Sequence, residues 1–219
     1  MPEPELPDTD EMVVLHSVFR RELEAGPARV AAVAAGDLER AGLVGAHYRV
    51  ILELLSVHHI GEDLLLWPKL QDRDPGSREL LDRMRSQHGQ LAETLPGVRE
   101  RLAAWSTAPD PEHARELTAA LERLLRVLDP HLSAEEADAL PRARQHLSGP
   151  EWRALREHSL RSVAPEWHSI VLGLCLGQLP ADRRGSYLAG IPAPVIARWR
   201  AGGQRKFEDH MERLGAASA

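Results

Sequence analysis

The chain of 219 residues contains a single cysteine, Cys175, which excludes an internal disulfide and any cysteine-built zinc cluster. Aromatic residues are scarce, with Trp 5, Tyr 2 and Phe 2. No apolar run reaches the roughly 18 residues that a membrane span requires. The acidic, proline-rich start "MPEPELPDTDEM" lacks the basic opening and apolar stretch of a signal peptide, so the expected location is the cytoplasm. A basic excess is also missing. Lys and Arg number 27 against 33 Asp and Glu, a formal net charge of −6. Phosphate binding asks for a basic face, so nucleic acid is not the expected partner. There is no Walker loop, dinucleotide fingerprint, Gly-x-Ser-x-Gly elbow or His-Glu-x-x-His zincin motif. What remains is 43% hydrophobic and dominated by Leu, Ala, Arg and Glu, a composition that favours helices.

The expected fold is all-α. Residues 1–8 read as a disordered lead-in, and residues 9–147 as an antiparallel four-helix bundle. A first helix begins near Asp10, and Gly26-Pro27 marks a stop or kink before a helical piece "ARVAAVAAG". A second runs from about Asp37 to Leu70, and "QDRDPGS" reads as a loop. A third covers about Ser77 to Trp105, and a fourth about Glu112 to His146. Within the fourth, Pro130 implies either a bend before His131 or a new helix capped by Asp129. Residues 148–219 carry Trp152, Trp167, Trp199, Cys175 and the apolar stretch "EWHSIVLGLCLGQL". They read as two or three added helices that pack on the bundle or form a homodimer interface.

Two stretches carry the chemistry, "VHHIGEDLLLWPKL" and "LDPHLSAEEADALPRA". His58 is followed by Glu62, Asp63 and Pro68, and His131 by Glu135, Glu136 and Pro141, at the same offsets of four, five and ten. At ~100° per residue, Glu62 lies roughly 40° from His58, among Ile51, Leu55, Leu65 and Leu66. Glu135 takes the same position beside His131, among Leu117, Leu121, Leu124 and Leu128, while Glu136 points away. The other two helices each add one histidine to their apolar face: His16 with Met12, Val13, Phe19 and Leu23, and His88 with Leu81, Met84, Leu91 and Leu95. His16 and His88 are 72 residues apart, and His58 and His131 are 73 apart, so the chain reads as a two-helix unit used twice. A buried, uncompensated carboxylate costs several kcal/mol. A metal removes that cost, and imidazole with carboxylate suits iron, manganese or zinc. Six ligands exceed the roughly four that zinc takes. Two metals bridged by Glu62 and Glu135, roughly 3.5–4 Å apart, would use them all. Core ion pairing is the competing reading. His59 reads as a further or alternative ligand, a supporting group or a solvent-facing residue, and Asp63 and Glu136 as acids that either orient ligating imidazoles or cap the helix. His47 and Tyr48 read as a channel lining or a polar bundle end. His113, His146, His158 and His210 read as surface residues, His168 as part of the apolar segment, and Cys175 as a small buried hydrophobe.

The stretches "LHSVFRREL", "HHIGEDLLLWPKL", "QHGQL" and "HLSAEEADALP" resemble the hemerythrin-like, cation-binding family over about Val13 to His146. The resemblance implies an antiparallel four-helix bundle around an oxo- or hydroxo-bridged pair of non-heme irons. It matches His16, His58, Glu62, His88, His131 and Glu135 to the family's ligand positions. Two departures stand against simple oxygen carriage. Carriers have a histidine pair at i,i+4 on the third helix, whereas the neighbours of His88 at that spacing are Met84 and Ala92. Carriers also set the last acid five residues after the histidine, which here is Glu136, while the repeat and the helix angle favour Glu135. The expected function is binding or reaction of oxygen, peroxide or nitric oxide, including an oxidoreductase that consumes peroxide or nitric oxide. The rivals are an oxygen-activating enzyme with an organic substrate held by the C-terminal segment, and a non-catalytic oxygen or iron sensor. A pocket reaching the cluster favours the enzyme.

Overall fold

The structure is a computed structural model that describes residues 6–215. The expected lead-in therefore falls largely on residues 1–5, outside the described residues. The described residues form α-helices with short π and 3-10 turns and no strand. The bundle consists of α1 (Asp10–Ala31), α2 (Leu38–Gly61) extended by α3 (Trp67–Arg73), α4 (Arg78–Thr107), and α5 (Pro111–Ala134) extended by α6 (Leu140–His146). Its helices close a ring in which α1 packs on α2 and α5, and α4 packs on α2 and α5. Helix starts are fixed by side chains that satisfy free backbone N–H groups, each contributing about 1 kcal/mol. The Asp37 carboxylate accepts from the Arg40 N–H at 3.0 Å. That of Asp110 accepts from Glu112 and His113, each at 2.9 Å.

At two prolines the break that the sequence allowed as an alternative to a bend does not occur. α1 runs unbroken through Gly26-Pro27, and α5 runs unbroken through Pro130, so neither a stop nor a fresh helix start occurs there. Packing compensates at the first of these. Gly26 lies against Leu121 and Tyr48, and the Glu22 carbonyl, in the turn that Pro27 loosens, accepts the Tyr48 hydroxyl at 2.7 Å.

A feature hidden in the sequence is a π turn on each helix that carries a His-x3-Glu pair, Glu62–Leu66 and Glu135–Ala139. In each, an N–H reaches back five residues, from Trp67 to the Glu62 carbonyl and from Leu140 to that of Glu135. Pro68 and Pro141 come directly after. A proline ring collides with the carbonyl four residues earlier in a regular helix, and a widened turn relieves the collision. This accounts for the proline at offset ten in both stretches. The extra residue also rotates the remainder of each helix. The regular helical angle puts Leu65 and Leu66 on opposite edges of the core stripe, roughly −20° and 80° from His58, whereas the structure buries Leu66 completely and half-buries Leu65.

The core falls into two apolar clusters. One contains Phe19, Leu23, Tyr48, Leu52, Leu55, Leu91, Leu121 and Leu128. The other contains Met12, Leu66, Trp67, Leu81, Met84 and Ala139. Burying each such large side chain is worth about 1.5–3 kcal/mol. On every bundle helix the inward histidine lies between a member of one cluster and a member of the other. His16 separates Met12 from Phe19, and His88 separates Met84 from Leu91.

Beyond the bundle the described residues form five α-helices rather than the expected two or three: α7 (Gly149–Ser162), α8 (His168–Gly177), α9 (Ala181–Gly190), α10 (Ala193–Arg198) and α11 (Gln204–Gly215). α7 packs on α2, and α8 packs on α1 and α11. Glycine permits the closest approaches. A side chain at Gly61 would meet Leu155 of α7 at 2.5 Å, and one at Gly173 would meet the Phe207 ring at 2.2 Å. Arg40 ties down the end of α11 by donating to the carbonyls of Arg213 at 2.8 Å and Leu214 at 3.1 Å.

Candidate metal centre

His16, His58, Glu62, His88, His131 and Glu135 all converge on the layer between the two apolar clusters, and none is more than 5% exposed. His16 Nε2 lies 3.1 Å from His58 Nε2 and 3.4 Å from Glu135 Oε2. His58 Nε2 lies 3.0 Å from Glu62 Oε1, His88 Nε2 lies 3.4 Å from Glu62 Oε2, and His131 Nε2 lies 3.7 Å from Glu135 Oε2. The contacts to Glu62 and to Glu135 lack hydrogen-bond alignment, for every oxygen of both carboxylates is without a hydrogen-bond partner. The Nε2 atoms of His88 and His131 are likewise buried and unpartnered. Such orphaned atoms are rare in folded proteins. Metal–donor bonds of about 2.0–2.2 Å put neighbouring donors roughly 3.0–3.5 Å apart in an octahedral or tetrahedral shell, close to the spacing here.

His59 joins them. It is 5% exposed, and its Nε2 is also buried without a partner. Its ring lies 4.5 Å from that of His88 and 5.0 Å from that of His131. The corner that Met84 and Ala92 leave without a second histidine thus receives one from α2. Two groups of buried side chains could each hold a metal ion: His16, His58, Glu62 and Glu135, and His59, Glu62, His88 and His131. Within each group the donor atoms lie within 4.8 Å of one another. Glu62 belongs to both.

The far side of the imidazoles is held in a crossed pattern. Glu136, beside the inner acid of the second half, accepts from His16 Nδ1 at 2.8 Å. Asp63, in the same position of the first half, accepts from His88 Nδ1 at 2.9 Å. His131 Nδ1 donates to Gln87 Oε1 at 3.1 Å. Each bond holds a proton on Nδ1 and turns Nε2 toward the interior, the side from which a metal would be ligated. Arg20 then anchors Glu136 at 2.7 Å and Asp129 at 2.6 Å. Gln87 and Arg20 escape a reading of apolar faces because they act from outside the stripe. The repeat is incomplete in two places. The counterpart of His59 is Leu132, which is fully buried, and the counterpart of Gln87 is Leu15.

Burial controls the charge of this layer. It pushes His58 and His59 well below the usual histidine range and His131 down to about 3, with neighbouring imidazoles adding to the effect. It also pushes the Glu62 and Glu135 carboxyls upward. His88 is the exception. Burial opposes its charge, but the bond to Asp63 and the nearby Glu62 raise it to about 10. Apart from His88, whose extra proton a metal would displace, these are neutral imidazoles set beside two buried acids, a donor set suited to a bound cation.

The sequence profile of the hemerythrin HHE cation binding domain matches residues 8–144, more than half of the chain. The chain belongs to the hemerythrin HHE family. No curated protein and no solved structure matches it. The HHE match ends just before α7, so the C-terminal helices lie outside it.

The remaining histidines lie elsewhere in the HHE bundle and its appendage. His47 belongs to a second polar cluster, where its Nε2 donates to the Glu22 carboxylate at 2.8 Å and its Nδ1 shares a hydrogen bond with His210 Nε2 at 3.0 Å. Tyr48 and Arg29 complete this cluster, and Arg29 also contacts Glu22. His210 is therefore half-buried rather than on the surface, and burial pushes it down to about 4. His113 pairs with Asp110 at 2.8 Å, and His158 packs near Gly61. The His146 carbonyl accepts from Arg73 at 2.9 Å. His168 Nε2 donates to the carbonyls of Leu160 and Val163, each at 3.0 Å. Cys175 is buried, which raises its thiol to about 11 and makes it unreactive.

Proposed function

We propose that the two buried donor groups hold a pair of iron ions, and that the pair binds or reacts with oxygen, peroxide or nitric oxide. His16, His58 and Glu135 would hold one ion and His59, His88 and His131 the other, with Glu62 available to both. The observation that carries this reading is the set of orphaned atoms: both oxygens of Glu62 and of Glu135, with the Nε2 of His59, His88 and His131. A purely structural ion-pair core would leave few such atoms unbonded. The donors are all nitrogen and oxygen, which favours iron or manganese in six-coordinate form over thiolate-seeking metals. Five imidazoles and two carboxylates offer fewer donor atoms than the roughly twelve that two six-coordinate ions take, which leaves positions for small ligands. Iron so held polarises what it binds.

The protein's own contribution is orientation and exclusion. Asp63, Glu136 and Gln87 hold ring protons on Nδ1. The apolar clusters above and below keep bulk water from the layer. Elemental analysis of anaerobically iron-loaded, folded protein is expected to give two irons per chain, and optical spectra are expected to change on adding oxygen, peroxide or nitric oxide. One iron or none, or a spectrum indifferent to all three, would overturn the reading.

A further inference from the structure

The C-terminal helices and the α1–α2 face of the bundle form a partly open cavity of about 120 Å³. Leu15, Leu54, Leu155, Val171 and Leu172 form much of its wall, and His58 forms part of it. Close packing is the rule for apolar side chains inside a protein, and this apolar recess beside a histidine of the candidate metal centre departs from it.

The wall defines what fits. Its charged residues are already spent on each other, with Arg156 donating to Glu11 at 2.6 Å. The buried Cys175 thiol and the Tyr187 hydroxyl lie close enough to shift each other's titration, and both stay uncharged. His168 is committed to two backbone carbonyls. No charge is left to meet an ionic ligand, and the remaining surface is largely aliphatic. The broken repeat points the same way. Where His131 is backed by the Gln87 amide, the equivalent position beside His58 is Leu15, a wall of the cavity. Engineered apolar cavities of about 150 Å³ stay dry and take up benzene.

We propose that this cavity is a binding site for a compact, uncharged, apolar organic molecule of about six carbon atoms, held against His58. This goes beyond the assignment of oxygen, peroxide or nitric oxide to the metal pair, because the cavity exists without any metal and its occupant is of a different class. It gives the C-terminal helices a task, that of closing a compartment the bundle alone leaves open.

The test uses the full chain, metal-free and iron-loaded, with benzene and benzoate as probes. Benzene is expected to raise the unfolding temperature saturably in both forms, and benzoate to leave it unchanged. Intermolecular Overhauser contacts are expected between benzene and methyl groups of Leu15 and Leu54. The Val171→Phe and Val195→Phe variants, which fill the cavity from two different helices, are expected to lose the thermal shift. In the iron-loaded protein, benzene is expected to alter the optical spectrum of the wild type and not that of the filled variants. Absence of a saturable benzene response in the wild type, or an undiminished response in both filled variants, would overturn the proposal. Because the metal-free arm stands alone, a chain that binds benzene yet takes up no iron would refute only the metal assignment.

Discussion

Replacing Glu62 by leucine separates a metal site from a structural ion-pair core, since the two give opposite signs. Both Glu62 oxygens are buried without hydrogen bonds, and burial raises its carboxyl above the ordinary range. An orphaned buried polar group costs about 1–3 kcal/mol, which leucine of similar volume removes. The loss on the other side is small, because His88 keeps its bond to Asp63 at 2.9 Å. Metal-free Glu62→Leu is therefore expected to gain about 1–3 kcal/mol, a rise in Tm of roughly 2–12 °C for a chain of this size. The gain depends on pH with a definite sign. A carboxyl raised in the fold stabilises below its unfolded value, about pH 4.3, and destabilises increasingly as pH climbs above it. The advantage of leucine is thus smallest in acid and grows toward neutrality. In the iron-loaded protein the order reverses. A ligand at ~1,000 times its Kd adds about 4 kcal/mol to the native state, and the variant forfeits that. Calorimetric unfolding of both proteins, chelated and iron-loaded, is the assay. A variant less stable than wild type by more than about 1 kcal/mol in both forms would mean that Glu62 is held by its neighbours rather than poised for a cation.

Three further expectations rest on particular contacts. His59→Ala is expected to lower bound metal below that of the wild type, while His113→Ala, whose ring pairs with Asp110 outside the cluster, leaves it unchanged; equal losses would refute the seventh donor. Glu22 is held down to about 2, because the bonds from His47 and Arg29 outweigh the burial that raises it. Its contribution, on the order of 2–4 kcal/mol, is present above about pH 4.5 and fades as pH falls through that value toward 2, so the stability lead of metal-free wild type over Glu22→Gln is expected to shrink between pH 6 and pH 3 in denaturant titrations. Gly173→Ala places a methyl 2.2 Å from the Phe207 ring, a clash costing about 1–3 kcal/mol against a helix-propensity gain of about 1. Limited proteolysis is expected to cut α11 faster in that variant, and unchanged cleavage would refute the contact.

The four bundle helices and their inward histidines are legible in the sequence because each helix writes one apolar stripe with titratable residues inside it. His59 is not, for a physical reason. The angular reading assumes a helix buried on one side, but α2 is flanked by α1, α4 and α7, so Val57, His58, His59 and Gly61 are all buried around its circumference. The π turns escape because a uniform 100° step cannot represent an inserted residue; only the prolines after them carry a trace. Pro27 and Pro130 mislead in the opposite sense, since local propensity signals a break and tertiary packing carries the helix through. The cavity beside His58 depends on how α7 and α8 meet the bundle, which no pattern within a single helix encodes.

The exchange of His59 for Leu132 in the second half makes the buried layer unequal end to end. One end offers three imidazoles and a shared carboxylate, the other two imidazoles and two carboxylates. On the metal assignment proposed above, cations supplied in short measure are expected to distribute unequally between the two ends. The end with two carboxylates is the one whose His58 borders the apolar cavity. A bundle made from two like halves thus has two chemically distinct poles.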